Sequence, residues 1–351
     1  MILKTLYLQH FRSYTKFEFN FSKDITIIIG PNTAGKSNCI EAIFLLASGK
    51  SFRSEKDIEM MQYGEDITKV TGEVGEIKLE ALLAGSQYGK GNLVKRYFVN
   101  GVSRRKIDFS KHLSAIIFSP LDLDIVIDSP GIRRRFLDNA LEQTSEEYGI
   151  ALIEYAKGIR QRNALLNIAQ ETGRKDPKQF NYWDELLIKY GNIITKEREE
   201  FINYINNKDK DIFSVRVMYD HSIISEERLA KYDKAEVASG VTLVGPHRDN
   251  FLLYMKSNGE GGESEVRSFG SRGQQRLVVL QLKMLQLTYI EKALGHRPLL
   301  LLDDIFSELD DIHIELISNM CIKQQTIITT THEEFVHRYI FKDAVVIELK
   351  N

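Results

Sequence analysis

The first third of the chain alternates between hydrophobic and polar positions in the way that β-strands do. Phe17, Phe19 and Phe21 alternate with polar neighbours, which is the period of a strand with one buried face. Residues 25–29 form a short apolar run, as expected of a strand that is covered on both sides. Residues 94–102 place an Asn-Gly pair after a strand-like segment, which predicts a hairpin with a tight turn.

From about residue 130 to residue 238 the hydrophobic positions recur at helical spacing instead. One apolar face runs from Leu152 to Leu166 and another from Trp183 to Phe201, with one strand predicted over 215–219. Acidic and basic residues balance here, so we expect the charges to lie on solvated helix faces. The stripes do not continue over enough heptads for a coiled coil. This region is therefore predicted to be a compact helical domain.

Strands and helices alternate again after residue 240. Residues 274–293 have the spacing of a long helix, and residues 298–302 and 326–330 have the composition of short buried strands. Fully apolar strands that alternate with helices are typical of a parallel sheet with helices on its faces. The pattern thus predicts an α/β protein that is interrupted by a helical region.

The composition narrows the possible functions. The chain has 351 residues, of which 43% are hydrophobic and 27% charged, and this excludes wholesale disorder. The net charge of -2 does not indicate a nucleic-acid-binding protein, so any anionic partner must meet a local basic patch. Two cysteines are too few for a disulfide framework. Because we find neither a membrane-length apolar run nor a signal peptide, we expect a cytoplasmic protein without a membrane partner.

The clearest motif follows the apolar run at 25–29 and fits the pattern G-x-x-x-x-G-K-[ST]. In such a loop the glycines let successive backbone N–H groups face a phosphate, and the next helix begins there. The lysine reaches the β- and γ-phosphates, and the serine hydroxyl is a Mg²⁺ ligand. The motif consists of Gly30, Pro31, Asn32, Thr33, Ala34, Gly35, Lys36 and Ser37.

A second element is the apolar segment 299–302, which ends in Asp303 and Asp304. Beside a phosphate loop, Asp303 would hold Mg²⁺, and Asp304 would orient or deprotonate the attacking water. The two elements lie much farther apart in sequence than in a small GTPase or a nucleotide kinase. A P-loop kinase is therefore disfavoured, and the helical region accounts for the separation.

Between these elements, residues 269–276 resemble the Leu-Ser-Gly-Gly-Gln signature of ABC-type ATPases. Ser271, Gly273 and Gln274 keep the pattern, whereas Gly270 and Arg272 depart from it. Two further residues resemble elements of the same class: Asp310 lies in a segment like the D-loop, and His332 stands where the switch histidine would be.

The likeness then extends over almost the whole chain to the RecF family of recombination mediators. Thr33 departs from the usual glycine, and Asp304 replaces the glutamate of ABC transporters, as is common in RecF-type sequences. The segments that carry the resemblance are Phe11-Arg12-Ser13-Tyr14, Ser51-Phe52-Arg53, 118–123, 133–138, 161–166 and Gly245-Pro246-His247-Arg248-Asp249.

The resemblance implies an ABC-type ATPase head related to SMC proteins, built from a mixed sheet with flanking helices and an antiparallel β subdomain. A helical lobe would replace the long coiled coil of SMC proteins. On this basis we expect residues 1–128 and 240–351 to form the head and residues 129–239 to form the inserted lobe.

It also implies that two heads sandwich ATP, so that the phosphate loop and Asp303 of one subunit face Ser271 and Gly273 of the other. An anion cage would then be completed in trans by a helix N-terminus. The remaining family roles fall on Gln274 and Asp310 at the nucleotide, on Arg12 approaching it, on Asp122 as a metal ligand in the Q-loop, and on His332 at the γ-phosphate.

A local basic strip is the candidate for DNA contact. Aromatic residues are interleaved with its cations, but basic hairpins are also commonly solvated edges. Phosphate contacts carry no base information, so any DNA binding is expected to be independent of sequence. The strip includes Lys95, Arg96, Arg104, Arg105 and Lys106.

Two functions remain open. By resemblance the chain would be an ATP-gated DNA-binding protein of recombinational repair, with Mg²⁺ as cofactor and slow, DNA-stimulated hydrolysis that serves release. It would dimerise on gapped or junction DNA and help a RecR-type partner to load a RecA-type recombinase. The alternative is the ATPase subunit of an ABC transporter, which the degenerate signature, the Asp-Asp pair and the large helical insert disfavour.

Overall fold

The computed structural model describes residues 1–85, 93–256, 262–306, 309–331 and 344–350. The chain divides into two compact units. Unit 1 contains Met1–Asp122 and Ile290–Asn351, and unit 2 contains Leu123–Tyr289. The predicted lobe 129–239 lies inside unit 2, which also includes residues that were expected in the head, because a strand after residue 249 pairs with the strand predicted over 215–219.

The elements are named in chain order. The strands are β1 Leu3–Phe11, β2 Tyr14–Asn20, β3 Ile25–Ile29, β4 Ile67–Val74, β5 Ile77–Ala84, β6 Val94–Val99, β7 Val102–Arg104, β8 Ala115–Phe118, β9 Val215–Asp220, β10 Asn250–Lys256, β11 Glu263–Glu265, β12 Leu299–Asp303, β13 Thr326–Thr330 and β14 Val345–Glu348. The helices are α1 Lys36–Ser48, α2 Lys106–Phe109, α3 Asp124–Ile127, α4 Pro130–Thr144, α5 Glu146–Thr172, α6 Pro177–Asn207, α7 Glu226–Ser239, α8 Val266–Phe269, α9 Arg272–Leu294 and α10 Asp311–Cys321.

Unit 1 contains two sheets. One is antiparallel, in the order β2-β1-β4-β5-β6-β7, and the other is parallel, in the order β14-β3-β13-β12-β8. A single apolar core contains residues from both sheets and from α1. All five residues of β3, of β12 and of β13 are buried, which confirms the prediction of strands that are covered on both sides.

The hairpin between β6 and β7 closes as its Asn-Gly pair predicts. Asn100 and Gly101 have φ values of 50° and 79°, and Val99 pairs directly with Val102. Two consecutive residues in the left-handed region match the twist of the flanking strands, and these residue types tolerate it best.

Unit 2 combines long helices with a small antiparallel sheet in the order β11-β10-β9. The core of unit 2 includes Leu187, Ile194 and Phe201 of the face predicted for α6, together with side chains of β9 and β10. The face predicted for α5 is less buried, because Leu152 and Ile159 are only partly covered by this core. The region is therefore less purely helical than its sequence pattern predicts. Within the residues that the structure describes, no helix is long and apolar enough to cross a membrane.

Candidate functional site

The loop Gly30–Ser37 connects β3 to α1, as its sequence predicts. A Cβ on Gly35, which has φ +93°, would lie 2.6 Å from the Tyr14 hydroxyl, and a Cβ on Gly30 would lie 2.7 Å from the carbonyl oxygen of Leu349. Both positions therefore exclude larger residues. Thr33 has φ 76°, a value that favours glycine and costs a β-branched residue conformational strain.

Lys36 spans this loop. Its Nζ donates to the carbonyl oxygens of Gly30 at 2.7 Å and of Pro31 at 2.8 Å, and the side chain is almost fully buried. Burial lowers the pKa of Lys36, whereas the carboxylates of Asp304 and Asp303 raise it. The ammonium group therefore contacts the loop and is stabilised electrostatically by the two acids.

Asp303 ends β12 and contacts the phosphate loop directly. Its Oδ1 accepts from the Ser37 hydroxyl at 2.9 Å and from the Thr329 hydroxyl at 2.7 Å. The parallel pairing of β12 with β13 and of β13 with β3 brings the carboxyl ends of all three strands to one edge of the sheet. Thr329 was missed by the sequence reasoning, although its place on the strand between the two motifs was a usable signal.

Asp304 follows immediately and has φ 52°. Its backbone N–H donates to the Thr329 carbonyl oxygen at 3.1 Å and to the Thr329 hydroxyl at 3.2 Å. A non-glycine residue in the left-handed region is strained, and such strain concentrates at functional sites. The structure therefore places both predicted acids beside the loop.

The donor set at this edge suits magnesium. A hydroxyl and a carboxylate are hard oxygen ligands, and Mg²⁺ usually keeps several waters and takes further ligands from substrate phosphates. Among the described residues there is no cluster of three or more histidine, cysteine or acidic residues that could hold a metal. Ser37 and Asp303 would therefore share the ion with a nucleotide and with water.

Arg12 lies at the turn between β1 and β2. Its Nε and Nη2 donate to Glu41 on α1 at 2.8 and 2.7 Å. Glu41 is fully buried and was missed by the sequence reasoning. The signal that could have found it is an acid within an otherwise apolar stretch of helix, because such a group requires a buried partner.

Asp122, predicted to bind metal, accepts a hydrogen bond from the backbone N–H of Ser119 at 2.7 Å. The contact caps the short 3₁₀ helix Pro120–Leu123. Its metal role stays a prediction.

The signature-like turn belongs to unit 2. The hydroxyl of Ser271 accepts from the Gln274 N–H at 3.2 Å, and the Gln274 side-chain oxygen accepts from the Ser271 N–H at 2.9 Å. This reciprocal pair is a capping box at the start of α9. A Cβ on Gly270 would lie 2.6 Å from the Val266 carbonyl oxygen, which explains why glycine replaces the usual leucine. Apart from its chain neighbours and the backbone of its own helix, no described residue lies within 4 Å of a Cβ built on Gly273.

Asp310 caps α10 by accepting from the backbone N–H of His313 at 3.0 Å. His332 lies outside the described residues, and so do Ser307 and Glu308 of the D-loop-like segment. The role of His332 stays a prediction.

The predicted basic strip is divided between the two faces of the antiparallel sheet. Arg104 pairs with Tyr97, so it shares the face of Tyr97, whereas Arg96 is the next residue along β6 and points to the other face. Lys95 is engaged inside the unit, with its Nζ 2.5 Å from Asp57 and 3.1 Å from the Gly49 carbonyl oxygen.

Arg105 donates to Asp108 at 2.8 and 3.3 Å, and Lys106 is half-buried next to Gly49. The strip therefore does not form one continuous cationic surface. Arg96, Arg104 and Arg105 are its exposed members.

Comparisons with known proteins decide the family. Residues 2–348 match the model of the RecF/RecN/SMC N terminal domain. A DNA replication and repair protein RecF from Lachnospira eligens is 34% identical, over 96% of this chain and 94% of that protein. The chain belongs to the RecF family. The predicted family and the predicted ATPase head fold of the ABC/SMC type are thereby confirmed.

Solved structures agree with this assignment. A structure of the recombination mediator protein RecF with ATP, in the RecFOR pathway, is 30% identical, with a TM-score of 0.84 over 95% of this chain and 92% of that one. An Smc head domain from Pyrococcus furiosus, at 16% identity and a TM-score of 0.50, shares the fold alone. The RecF-family chain described here thus belongs among DNA replication and repair proteins.

Proposed function

We propose that this chain is an ATPase that uses ATP and Mg²⁺ as a switch in recombinational repair and replication restart. The hydrogen bond between Ser37 and Asp303 carries the proposal, because it joins two motifs that lie 266 positions apart at one edge of the parallel sheet. Lys36, Ser37 and Asp303 together supply the cation and the hard oxygen ligands that a nucleotide triphosphate with magnesium requires. The solved RecF structure with ATP supports the choice of nucleotide.

Each residue of this site would have its own role in nucleotide binding or hydrolysis. The backbone N–H groups of the loop and the N-terminus of α1 would bind the phosphates, and Lys36 would neutralise the charge between them. Ser37 and Asp303 would hold Mg²⁺, which stabilises charge on the phosphates when bound. Asp304 would orient or deprotonate the attacking water, and its place directly after Asp303 supports that role.

We further propose that ATP binding drives head-to-head dimerisation and that slow hydrolysis dissolves the dimer. The turn at Ser271, Gly273 and Gln274, in which Ser271 and Gly273 are exposed, supports this step. Its capping box leaves the first turn of α9 facing solvent, where the helix dipole favours an anion supplied by another subunit. The phosphate loop of one chain would then meet this turn of its partner.

The dimer would act on gapped or junction DNA without base specificity, and DNA would stimulate hydrolysis. Arg104 and Arg105, which are both exposed, would contact the DNA phosphates. With a RecR-type partner, the complex would help to load a RecA-type recombinase. The RecF relatives and the solved member of the RecFOR pathway support this assignment.

The molecular mass in solution tests the proposal. We expect a monomer without nucleotide or with ADP, and a dimer with ATP and Mg²⁺ that DNA strengthens. Ser271→Arg should bind ATP normally but remain monomeric, because its own phosphate loop is intact while a bulky cation blocks the approach of a second subunit. Asp304→Asn should remain dimeric after ATP addition, since an amide cannot accept the proton from water.

Mixing Ser271→Arg with Lys36→Ala subunits supplies the matched control. Each heterodimer should hold at most one working site, formed by the intact phosphate loop of the first variant and the intact Ser271 of the second. Dimerisation of Ser271→Arg alone at wild-type strength would exclude the shared-nucleotide arrangement.

A further inference from the structure

Glu41 lies on α1 and is fully buried among apolar neighbours. Placing an isolated carboxylate in such surroundings is costly unless charged and hydrogen-bonded partners surround it. The groups around Glu41 therefore indicate what the residue does.

Two arginines and a serine meet this one carboxylate. Arg12 binds it through two nitrogens at 2.8 and 2.7 Å, and the Ser51 hydroxyl donates to its Oε1 at 2.5 Å. Nη1 of Arg53 lies 3.8 Å from its Oε2. Arg12 also donates to the hydroxyl of Ser54. The carboxylate thus holds two guanidinium groups, and the cluster keeps a net positive charge.

The backbone that presents Arg12 is strained. His10 and Arg12 have φ values of 50° and 53°, in a region that non-glycine residues seldom occupy. Such a conformation costs on the order of 1–3 kcal/mol per residue and persists only where the surroundings impose it. The two-pronged contact with Glu41 is one interaction that holds the turn in this form.

The cluster also reaches the first turn of α1, directly after the phosphate loop. Nη1 of Arg53 donates to the Asn38 side-chain oxygen at 3.2 Å, and the Asn38 amide donates to the Ser13 hydroxyl at 2.9 Å. The backbone N–H of Asn38 donates to the Gly35 carbonyl oxygen. The side chains of Arg12 and Arg53 are 21% and 36% exposed, so both guanidinium groups retain contact with solvent at this rim.

We infer that Glu41 is a positioning residue, which holds Arg12 and Arg53 at the rim of the phosphate loop so that they face the phosphates of a bound nucleotide. The inference rests on the proposed function, in which ATP occupies that loop. A bidentate carboxylate fixes the plane of a guanidinium group, and that orientation matters for phosphate contacts.

A mutant cycle tests this role. Glu41→Gln keeps the size of the side chain but removes its charge and one acceptor, so the Arg12 fork is released. We expect ATP to bind about tenfold more weakly, the loss typical of one charge-assisted hydrogen bond. Arg12→Gln should cause a similar loss. The double variant should lose less than the product of the two single losses, because Glu41 acts in part through Arg12.

Equilibrium binding of ATP with Mg²⁺ and thermal melting should be measured on every variant. Glu291→Gln is the matched control, because Glu291 forms another glutamate–arginine pair of unit 1, with Arg297 at 2.9 Å, and should leave ATP affinity unchanged. Glu41→Asp retains the charge and should bind ATP with an affinity between wild type and Glu41→Gln. If Glu41→Gln does not fold, Glu41→Asp replaces it in the cycle.

Wild-type ATP affinity in a folded Glu41 variant would overturn the inference, and so would losses that multiply in the double variant. Lys36→Ala separates this outcome from a failure of the proposed function. If Lys36→Ala abolishes ATP binding while the Glu41 variants bind normally, the nucleotide site stands and only the positioning role is lost. If the wild-type protein does not bind ATP, the proposed function itself fails.

Discussion

Both units bury charged side chains, but the two sets are arranged differently. In unit 2, Arg198 donates through all three of its nitrogens to groups of the same unit: the Tyr148 hydroxyl, the Pro246 carbonyl oxygen and the carboxylates of Asp249 and Asp138. In unit 1, the Nζ of Lys36 donates to carbonyl oxygens of its own loop, at the open edge of a sheet. The phosphates of a ligand can replace the carbonyl oxygens that Lys36 contacts. The partners of Arg198 cannot be replaced in this way without loss of the fold.

Burial alone therefore does not identify a charged side chain that has a function. A buried ion whose donors are saturated by distant parts of one fold is expected to specify that fold. A buried ion that lies at the carboxyl ends of parallel strands, beside a glycine-containing loop, is expected to serve a ligand. Substitutions should therefore lower the free energy of unfolding in unit 2 and the ligand affinity in unit 1.

The largest effect is expected from Arg198→Met. Removing this guanidinium group leaves Asp138 and Asp249 without their buried cation, which should cost about 3–5 kcal/mol of the free energy of unfolding. The single tryptophan of the chain, Trp183, lies on α6 and reports on unit 2 during urea denaturation.

Arg216→Met is the matched control, because Arg216 pairs with Glu263 at the surface of the same unit. Little change is expected there, since exposed ion pairs contribute little. Equal destabilisation by the two variants would show that the Arg198 contacts have no special structural role.

The next prediction concerns the pH dependence of the free energy of unfolding, which His247 of unit 2 should control. The pKa of His247 is lowered from 6.5 to about 4, chiefly by burial and also by the neighbouring arginines, although the hydrogen bond to Thr242 raises it. Its Nε2 lies 3.0 Å from the Thr242 carbonyl oxygen and must donate, so its Nδ1 accepts from the Tyr155 hydroxyl at 2.8 Å. Protonation of the ring would reverse this second hydrogen bond, because Nδ1 would then donate to the Tyr155 oxygen.

Because the folded state keeps His247 neutral, the unfolded state binds the extra proton below its own pKa. The contribution of His247 to stability is therefore complete above about pH 6.5 and declines as the pH falls towards 4. The total loss should be on the order of 3 kcal/mol, at 1.36 kcal/mol for each pKa unit. In urea titrations followed by Trp183, His247→Gln should flatten this dependence, and an unchanged profile would contradict the assignment.

Lys36→Ala tests the expectation for unit 1, where a substitution should lower ligand affinity and leave stability almost unchanged. Removing the ammonium group should weaken ATP binding roughly a hundredfold, because a charge-assisted contact with the phosphates is lost. Its effect on Trp183-detected unfolding should be small, since Trp183 belongs to unit 2. Normal nucleotide affinity and turnover would mean that the loop is not the site.

The sequence predicted those parts of the structure that depend on short-range patterns. The phosphate loop, the Asn100-Gly101 turn and the helices of unit 2 each require only a few neighbouring residues in a defined order. The adjacency of Ser37 and Asp303 was also predictable, because the two motifs are known to occur together.

Other features could not be predicted because they depend on contacts between distant segments. Glu41 stands out as an acid in an apolar stretch of helix, but its partner Arg12 comes from a distant turn and is identified only by the fold. The pairing of β10 with β9 enlarges unit 2 beyond the helical pattern, and the register of β6 and β7 separates Arg96 from Arg104. Strand pairing and register are set by the whole sheet, and local composition specifies them only weakly.

The smallest effect is expected at the hairpin, where Arg96, Arg104 and Arg105 are exposed. Neutralising Arg104, Arg105 and Lys106 together should reduce the slope of log affinity against log salt for duplex DNA by about 0.9 for each phosphate contact that is lost. Arg96→Gln is the matched control, because Arg96 is also exposed but lies on the opposite face of the sheet. It should leave the slope unchanged if DNA binds the face of Arg104. A reduced slope in Arg96→Gln alone would move the DNA to the other face, and an unchanged slope in both variants would exclude the hairpin as a DNA-binding surface.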